Sequence, residues 1–269
     1  LYYYGDILFL SNRYLDLDDQ LQKHKHNLGK MTGKKYLITG GWGRLGSHMK
    51  DSIPSVASRK NQMNILSTNQ VEYLVKTAKF DAILHLAAIS NQKLAEKEKL
   101  LSYQVNVLGT RNVAEIAQKY SLKLYYISTD YVFPGTKGNY KETDDASPAN
   151  WYGFTKYAGE LEVKNAIEDY CIIRTSFRPT KWEFPTAYTN VYTSADYVDI
   201  IAKEIILCLD YNLNDIIHIG TSIKSFYELA KIRNPNIIPE KCHDQTFPKR
   251  RDLNIDKWLF EKKKRGTYE

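Results

Sequence analysis

Apolar and polar positions alternate along this chain in blocks of two periods. Tyr36-Leu37-Ile38 is a short apolar run of the kind a parallel strand shows when both its faces are covered. Similar runs recur at Ala82 to Ala88, Leu122 to Ile127, Tyr170 to Ile173 and Ile216 to Ile219. Between them the apolar positions move to helical spacing. Tyr103 to Tyr120 predicts a helix through Val105, Leu108, Val113, Ile116 and Ala117. Trp151 to Glu168 and Ala195 to Leu209 predict two more, and Ser225 to Lys231 a short one. Residues 232–269, with Pro235, Pro239 and Pro248, read as loop-rich. Strands alternating with helices predict an α/β fold with a doubly wound parallel sheet. No internal repeat or low-complexity tract interrupts the pattern.

The pattern also divides the chain. Residues 1–33 precede the first strand and read as an extension of unassigned role, with the core beginning near Met31. Residues 34–174 read as a dinucleotide-binding domain. Residues 175–269 read as a small substrate lobe interleaved with further sheet elements at about 195–220. His24 and His26 lack companion ligands, so no metal site is expected.

Gly40, Gly43 and Gly46 follow the first strand at G-x-x-G-x-x-G spacing. Such a turn lets the backbone approach a pyrophosphate and brings the next helix close to the sheet. The helix would then offer free N–H groups to the phosphates. Gly40, Gly43, Arg44, Leu45 and Gly46 are therefore candidate cofactor contacts. Further along, Tyr152 and Lys156 share one helix face. An ammonium beside a phenol lowers the phenol's pKa from about 10. Tyr152 could then pass a proton to a carbonyl oxygen as hydride reaches the carbon. A hydroxyl at the carboxyl end of a parallel strand faces the ligand crevice, which makes Ser128 and Thr129 candidates to bind the substrate carbonyl.

The net charge of +7 suits a polyanionic ligand, and a nucleotide diphosphate fits as well as a nucleic acid. The basic runs at 248–251 and 262–265 lack the interleaved aromatics and glycines of an RNA-binding surface, so no nucleic-acid partner is expected. The Pro248–Asp252 segment is a candidate diphosphate contact. Cys171, Cys208 and Cys242 are widely spaced, which points away from disulfides or zinc and fits a reducing cytoplasm. No apolar run approaches membrane-spanning length, and Leu1 to Leu10 reads as a poor signal peptide, so no membrane partner is expected.

The glycine spacing resembles the extended short-chain dehydrogenase/reductase superfamily. The run Ser128-Thr-Asp-Tyr-Val-Phe-Pro-Gly135, then Glu142-Thr-Asp144, Ser147-Pro148 and Tyr152-Gly-Phe-Thr-Lys-Tyr-Ala-Gly-Glu160, resembles the dTDP-4-dehydrorhamnose reductase family. The likeness extends from about Lys34 to Trp258. It implies reduction of a nucleotide-linked 4-keto-6-deoxy sugar by NADPH or NADH, in deoxysugar and polysaccharide biosynthesis. It implies catalytic roles for Thr129, Tyr152 and Lys156, with Lys156 also holding the cofactor ribose. By the same likeness Asn64 and Ile65 lie near the adenine, and Ala87 and Ala88 pack against the cofactor. Arg44, Arg59 and Lys60 suit a ribose 2′-phosphate, and no acidic residue is evident for a free 2′-hydroxyl, which favours NADPH.

Between Arg174 and Asp196 the chain is shorter than the family pattern. Arg178, Trp182 and Tyr188 in that stretch are candidates to line the substrate pocket. A 4,6-dehydratase is disfavoured, because Asp130-Tyr131 follows Thr129 where that chemistry needs Asp-Glu. A nucleotide-sugar 4-epimerase and a non-catalytic NAD(P)-binding regulatory subunit stay open as alternatives. A homodimer is the superfamily-based expectation.

Overall fold

The computed structural model describes residues 33–58 and 62–267. Six strands form one parallel sheet: β1 (Tyr36–Thr39), β2 (Ser55–Ala57), β3 (Ala82–His85), β4 (Lys123–Thr129), β5 (Tyr170–Thr175) and β6 (Asp215–Ile219). Their order is β6-β5-β4-β3-β1-β2. The order reverses at β1, which has β2 on one side and β3 on the other. A doubly wound sheet opens its ligand crevice at such a reversal, beyond the carboxyl ends of the strands.

Alternate residues of β1 serve the two faces. Tyr36 and Ile38 join a core with Leu84, Tyr125, Ile173 and Trp258. Leu37 joins the opposite core with Ile83, Leu124, Tyr126 and Ile172. The helices α1 (Gly46–Met49), α2 (Thr68–Thr77), α3 (Gln92–Lys97), α4 (Lys99–Tyr103), α5 (Gly109–Lys119), α6 (Trp151–Ala166), α7 (Val198–Tyr211), α8 (Phe226–Lys231) and α9 (Asp256–Lys264) complete the layers. The sheet thus draws its last strand, β6, from beyond residue 175. Short strands at Phe177–Arg178, Thr186–Tyr188, Tyr192–Thr193 and Ile238–Glu240 build a small lobe beside it.

Three elements differ from the sequence reading. The helix after the glycine turn is a single turn, because Pro54 lies just beyond it and the chain must enter β2 at Ser55. The expected continuous helix at 103–120 is α4 and α5 joined by a π-helical turn, Gln104–Leu108. The 232–269 stretch contains α9, whose Trp258 is fully buried in the first core. The prolines made this segment read as loop-rich, yet Lys262 pairs with Glu204 at 3.0 Å and the helix docks through Trp258, its one buried residue.

The helix that carries Tyr152 and Lys156, α6, is fixed at its start and near its middle. Asn150 caps it by accepting from the Gly153 N–H at 2.8 Å. Near its middle, Glu160 is fully buried and Arg174 of β5 is 2 % exposed. Arg174 donates from Nη2 to Oε2 at 2.7 Å and from Nε to Oε1 at 2.9 Å. Ser128 of β4 donates to the same carboxylate at 2.5 Å. The helix lies very close to the sheet at this level. A Cβ on Gly159 would come within 2.4 Å of the Tyr126 hydroxyl and 2.6 Å of the Asn106 carbonyl.

A buried pair of this kind adds little net stability over an apolar pair, but removing one partner leaves an uncompensated charge. Glu160→Ala should therefore lower unfolding free energy by about 3–5 kcal/mol in urea denaturation. A loss below about 1 kcal/mol, the range of an exposed pair, would contradict the anchoring role.

Candidate active site

A cleft of about 990 Å³ opens at the carboxyl ends of the strands. Its near wall is the glycine turn. Gly40 has φ +66°, and a Cβ there would sit 2.8 Å from the Ala87 backbone. The turn closes with the Gly43 N–H donating to the Gly40 carbonyl at 2.9 Å. A Cβ on Gly46 would lie 2.5 Å from Gly41, so α1 can pack onto the turn only without one. Gly40, Gly43, Arg44, Leu45, Gly46, Asn64, Ile65, Ala87 and Ala88 all line this cleft, as the sequence reading expects of a dinucleotide cradle. Arg59 and Lys60 lie outside the described residues, as do His24 and His26.

The opposite wall carries the hydroxyl and amine groups. Ser128, Thr129, Tyr152 and Lys156 border the same cleft. Thr129 is the last residue of β4. Its hydroxyl donates to Asp130 Oδ1 at 3.1 Å and accepts from the Tyr131 N–H at 3.3 Å. The Thr129 hydroxyl also bears on the Tyr152 phenol, drawing its pKa down. The Ser128 hydroxyl is engaged by Glu160, so in this structure it ties helix to sheet and Thr129 is the hydroxyl beside the phenol.

The electrostatics differ from the sequence expectation. The phenol of Tyr152 is held above its ordinary pKa by burial, and the nearby Thr129 hydroxyl draws it back only in part. Lys156 does not dominate it. Burial instead lowers the Lys156 ammonium to about 7, against the attraction of Glu160. Desolvation disfavours the charged form of each group, raising one and lowering the other. Asp130, 2 % exposed, is likewise pushed up by burial, against the pull of Arg251 and of the Thr129 hydroxyl.

Several residues of the site were not singled out in the sequence. Asn106 sits fully buried on the π-helical turn. Its amide donates to the Ile89 carbonyl at 3.1 Å and to Thr155 at 3.0 Å, and its oxygen accepts from the Ile89 N–H at 2.7 Å. It thereby joins the cleft-lining strand-to-helix loop to α6. A π turn inside an apolar-periodic helix leaves no mark on the periodicity.

His85, at the end of β3, lies between Thr39 Oγ1 at 2.6 Å and Thr110 Oγ1 at 3.0 Å. Thr39 Oγ1 already accepts from the N–H groups of Leu86 and Ala87, so its proton points to Nδ1. Nε2 then carries the hydrogen and donates to Thr110. Burial lowers this imidazole to about 3, so it is neutral at pH 7.

Arg178 lines the cleft, its guanidinium 4.4 Å from the Phe226 ring centroid. Arg251 also lines it, 4 % exposed and stacked 3.8 Å over the Tyr131 ring, with Nε 3.9 Å from Asp130. Among the described residues, the Nε and Nη1 atoms of Arg251 find no hydrogen-bond partner. Trp182 and Tyr188 are not on the cleft wall. Trp182 donates to the Thr186 carbonyl at 3.0 Å and packs against Phe226, and Tyr188 packs against Phe247. The 175–195 stretch spends these aromatics on the lobe's own small core.

Comparison with known proteins follows the same residues. The family model of the RmlD substrate binding domain matches residues 34–204. The dTDP-4-dehydrorhamnose reductase of Mycobacterium tuberculosis is 29% identical over 154 residues, which cover 54% of this chain and 50% of that protein. Methionine adenosyltransferase 2 subunit beta of Xenopus tropicalis is 31% identical over 154 residues, covering 53% of this chain and 46% of that one. The crystal structure of dTDP-4-dehydrorhamnose reductase from Bacillus anthracis in complex with NADP aligns with a TM-score of 0.74 and 29% identity, over 82% of this chain and 90% of that chain. The chain spans about half the length of the curated relatives it matches. With the family model matched across the sheet, the glycine turn and the Thr129, Tyr152 and Lys156 wall, the chain belongs to the RmlD substrate binding domain family.

Proposed function

We propose that this chain is an NADPH-dependent reductase of a nucleotide-linked 4-keto-6-deoxy sugar. The observation that carries the reading is convergence. Thr129, Tyr152 and Lys156 border the same cleft as the glycine turn, although they come from separate elements. The structure fits a dinucleotide, since the turn's glycines stand where side chains would collide with neighbouring backbone. Gly40, Gly43, Leu45 and Gly46 would hold the pyrophosphate side, Asn64 and Ile65 the adenosine side, and Lys156 the ribose. Arg44, exposed at the rim, is suited to a 2′-phosphate.

When bound, NADPH supplies hydride to the carbonyl carbon. Thr129 orients the carbonyl oxygen. Tyr152 is a phenol at neutral pH, as an ordinary tyrosine is and as burial keeps it, and so can donate its proton to the forming alkoxide. A reduction needs the acid in its protonated form, and this environment supplies it. On the substrate side, Arg178 and Arg251 face the cleft as buried or half-buried guanidiniums, and the free donors of Arg251 suit the anionic part of a nucleotide sugar.

A second reading has its own support. Methionine adenosyltransferase 2 subunit beta, a protein named as a subunit, is as similar to this chain as the reductases are. On that reading the cleft binds the dinucleotide without turnover.

Two outcomes test the reductase. With dTDP- and UDP-linked 4-keto-6-deoxy sugars offered in parallel, NADPH absorbance should fall in a sugar-dependent manner. Tyr152→Phe should slow that reaction by about 10²–10⁴-fold while NADPH binding is retained. Undiminished turnover in the variant would remove Tyr152 from the mechanism. The pH profile gives the second outcome. Lys156 loses its proton as pH rises through about 7, so kcat/KM, which reports the free enzyme, should fall on the alkaline side of that value. A profile flat from pH 6 to 9 would contradict an ammonium role for Lys156.

A further inference from the structure

Lys156 is a buried ammonium on the cleft wall, 3 % exposed, and its surroundings are unusual for one. Among the described residues no carboxylate forms an ion pair with it, and Glu160, one turn along α6, spends its oxygens on Arg174 and Ser128. The contact its Nζ does make is with an aromatic face. It stands 4.0 Å from the centroid of the Tyr126 ring, well within the distance at which a ring quadrupole attracts a cation.

We propose that Tyr126 is a positioning residue, whose ring face holds the Lys156 ammonium at the cleft wall. The inference rests on the reading of Lys156 as the cation that faces the cofactor, and extends it to the group that keeps that cation in place.

The ring itself is fixed from several sides. Tyr126 belongs to β4, is fully buried, and donates to the Lys156 carbonyl at 3.3 Å. Gly159 allows α6 to press against its hydroxyl. On β3, the His85 ring lies 5.6 Å away at an interplanar angle of 30°. His85 is held in turn by Thr39 and by Thr110, whose hydroxyl donates to the Asn106 carbonyl at 2.8 Å. The neutrality of this imidazole matters, because an imidazolium would repel the ammonium it sits near.

The charged and titratable groups bearing on Lys156 are therefore Glu160 and Tyr152 on its own helix, His85 on β3, Tyr126 on β4 and, through Glu160, Arg174 on β5. Among these, the Tyr126 face is the group that meets the ammonium directly. A chain that buried this lysine without a ring or a counter-ion beneath it would pay the desolvation cost with nothing to offset it.

Fluorination separates the electrostatic role of a ring from its shape. Fluorine withdraws density from the face while the ring keeps nearly the same packing. The test compares Tyr126→Phe with the same position filled by a trifluorinated phenylalanine. The readout is the titration of Lys156, followed by NMR of the carbon next to Nζ in protein carrying labelled lysine. It requires neither substrate nor turnover, so it stands whether or not the reductase reading does. We expect Tyr126→Phe to keep the Lys156 titration close to wild type. The fluorinated ring should lower it, by on the order of half to one pH unit. Tyr126→Leu should lower it further, and if that variant does not fold, the two aromatic forms decide. Identical Lys156 titrations in the phenylalanine and trifluorophenylalanine forms would overturn the proposal and leave Tyr126 as core packing.

Discussion

The carboxylate of Glu160 holds this site together. It is completely buried, and it gathers Arg174 from β5 and Ser128 from β4 onto one helix. Tyr152 and Lys156 are two turns and one turn before it on α6. Any sliding or rotation of α6 would break the paired hydrogen bonds to Arg174, each charge-assisted and directional. The phenol and the ammonium therefore stand at fixed distances from Thr129 and from the carboxyl ends of the strands. Gly159 fits the same constraint, since it permits the close approach of α6 to the sheet, and Asn106 ties the same helix through Thr155.

Burial then sets the charge states. Four titratable groups stand on the cleft wall or behind it, and desolvation is the leading influence on each. It raises Tyr152 and Asp130, and lowers Lys156 and the neighbouring His85. A sequence-level argument weighs the Tyr152 and Lys156 pair as charge beside phenol and expects the phenol to fall. The folded wall gives the opposite balance, because desolvation outweighs charge at both side chains and the ammonium stands over the Tyr126 ring instead. The phenol is protonated at neutral pH with or without this shift, so the direction of chemistry proposed for this cleft does not rest on it, and a raised phenol is a weaker acid than a depressed one.

Much of the fold was legible because its strands are short apolar runs with turn residues between them. β1, β3, β4, β5 and β6 fall on the runs beginning at Tyr36, Ala82, Leu122, Tyr170 and Ile216. The glycine turn and the wall of Thr129, Tyr152 and Lys156 were legible for a different reason: each needs particular residue types at a particular spacing. What escaped were features made by contact across the chain. Arg174 and Glu160 are ordinary charged residues until the fold places them together. His85 looks like one more position in an apolar strand. Arg251 was legible only as part of the Pro248–Asp252 candidate for a diphosphate contact, and its stacking on Tyr131 was not. Trp182 and Tyr188 err in the other direction, because aromatic residues in a substrate lobe serve the lobe's core as readily as its pocket.

The reductase and subunit readings share the fold, the glycine turn and the buried wall, and they part only at the transfer of hydride. The most direct measurement follows deuterium from the nicotinamide carbon of labelled NADPH in the presence of a dTDP-linked 4-keto-6-deoxy sugar, with NMR of the sugar product. The account predicts deuterium on the former carbonyl carbon, one equivalent for each NADPH consumed. NADPH bound by the protein, with no deuterium reaching any sugar offered, would contradict it.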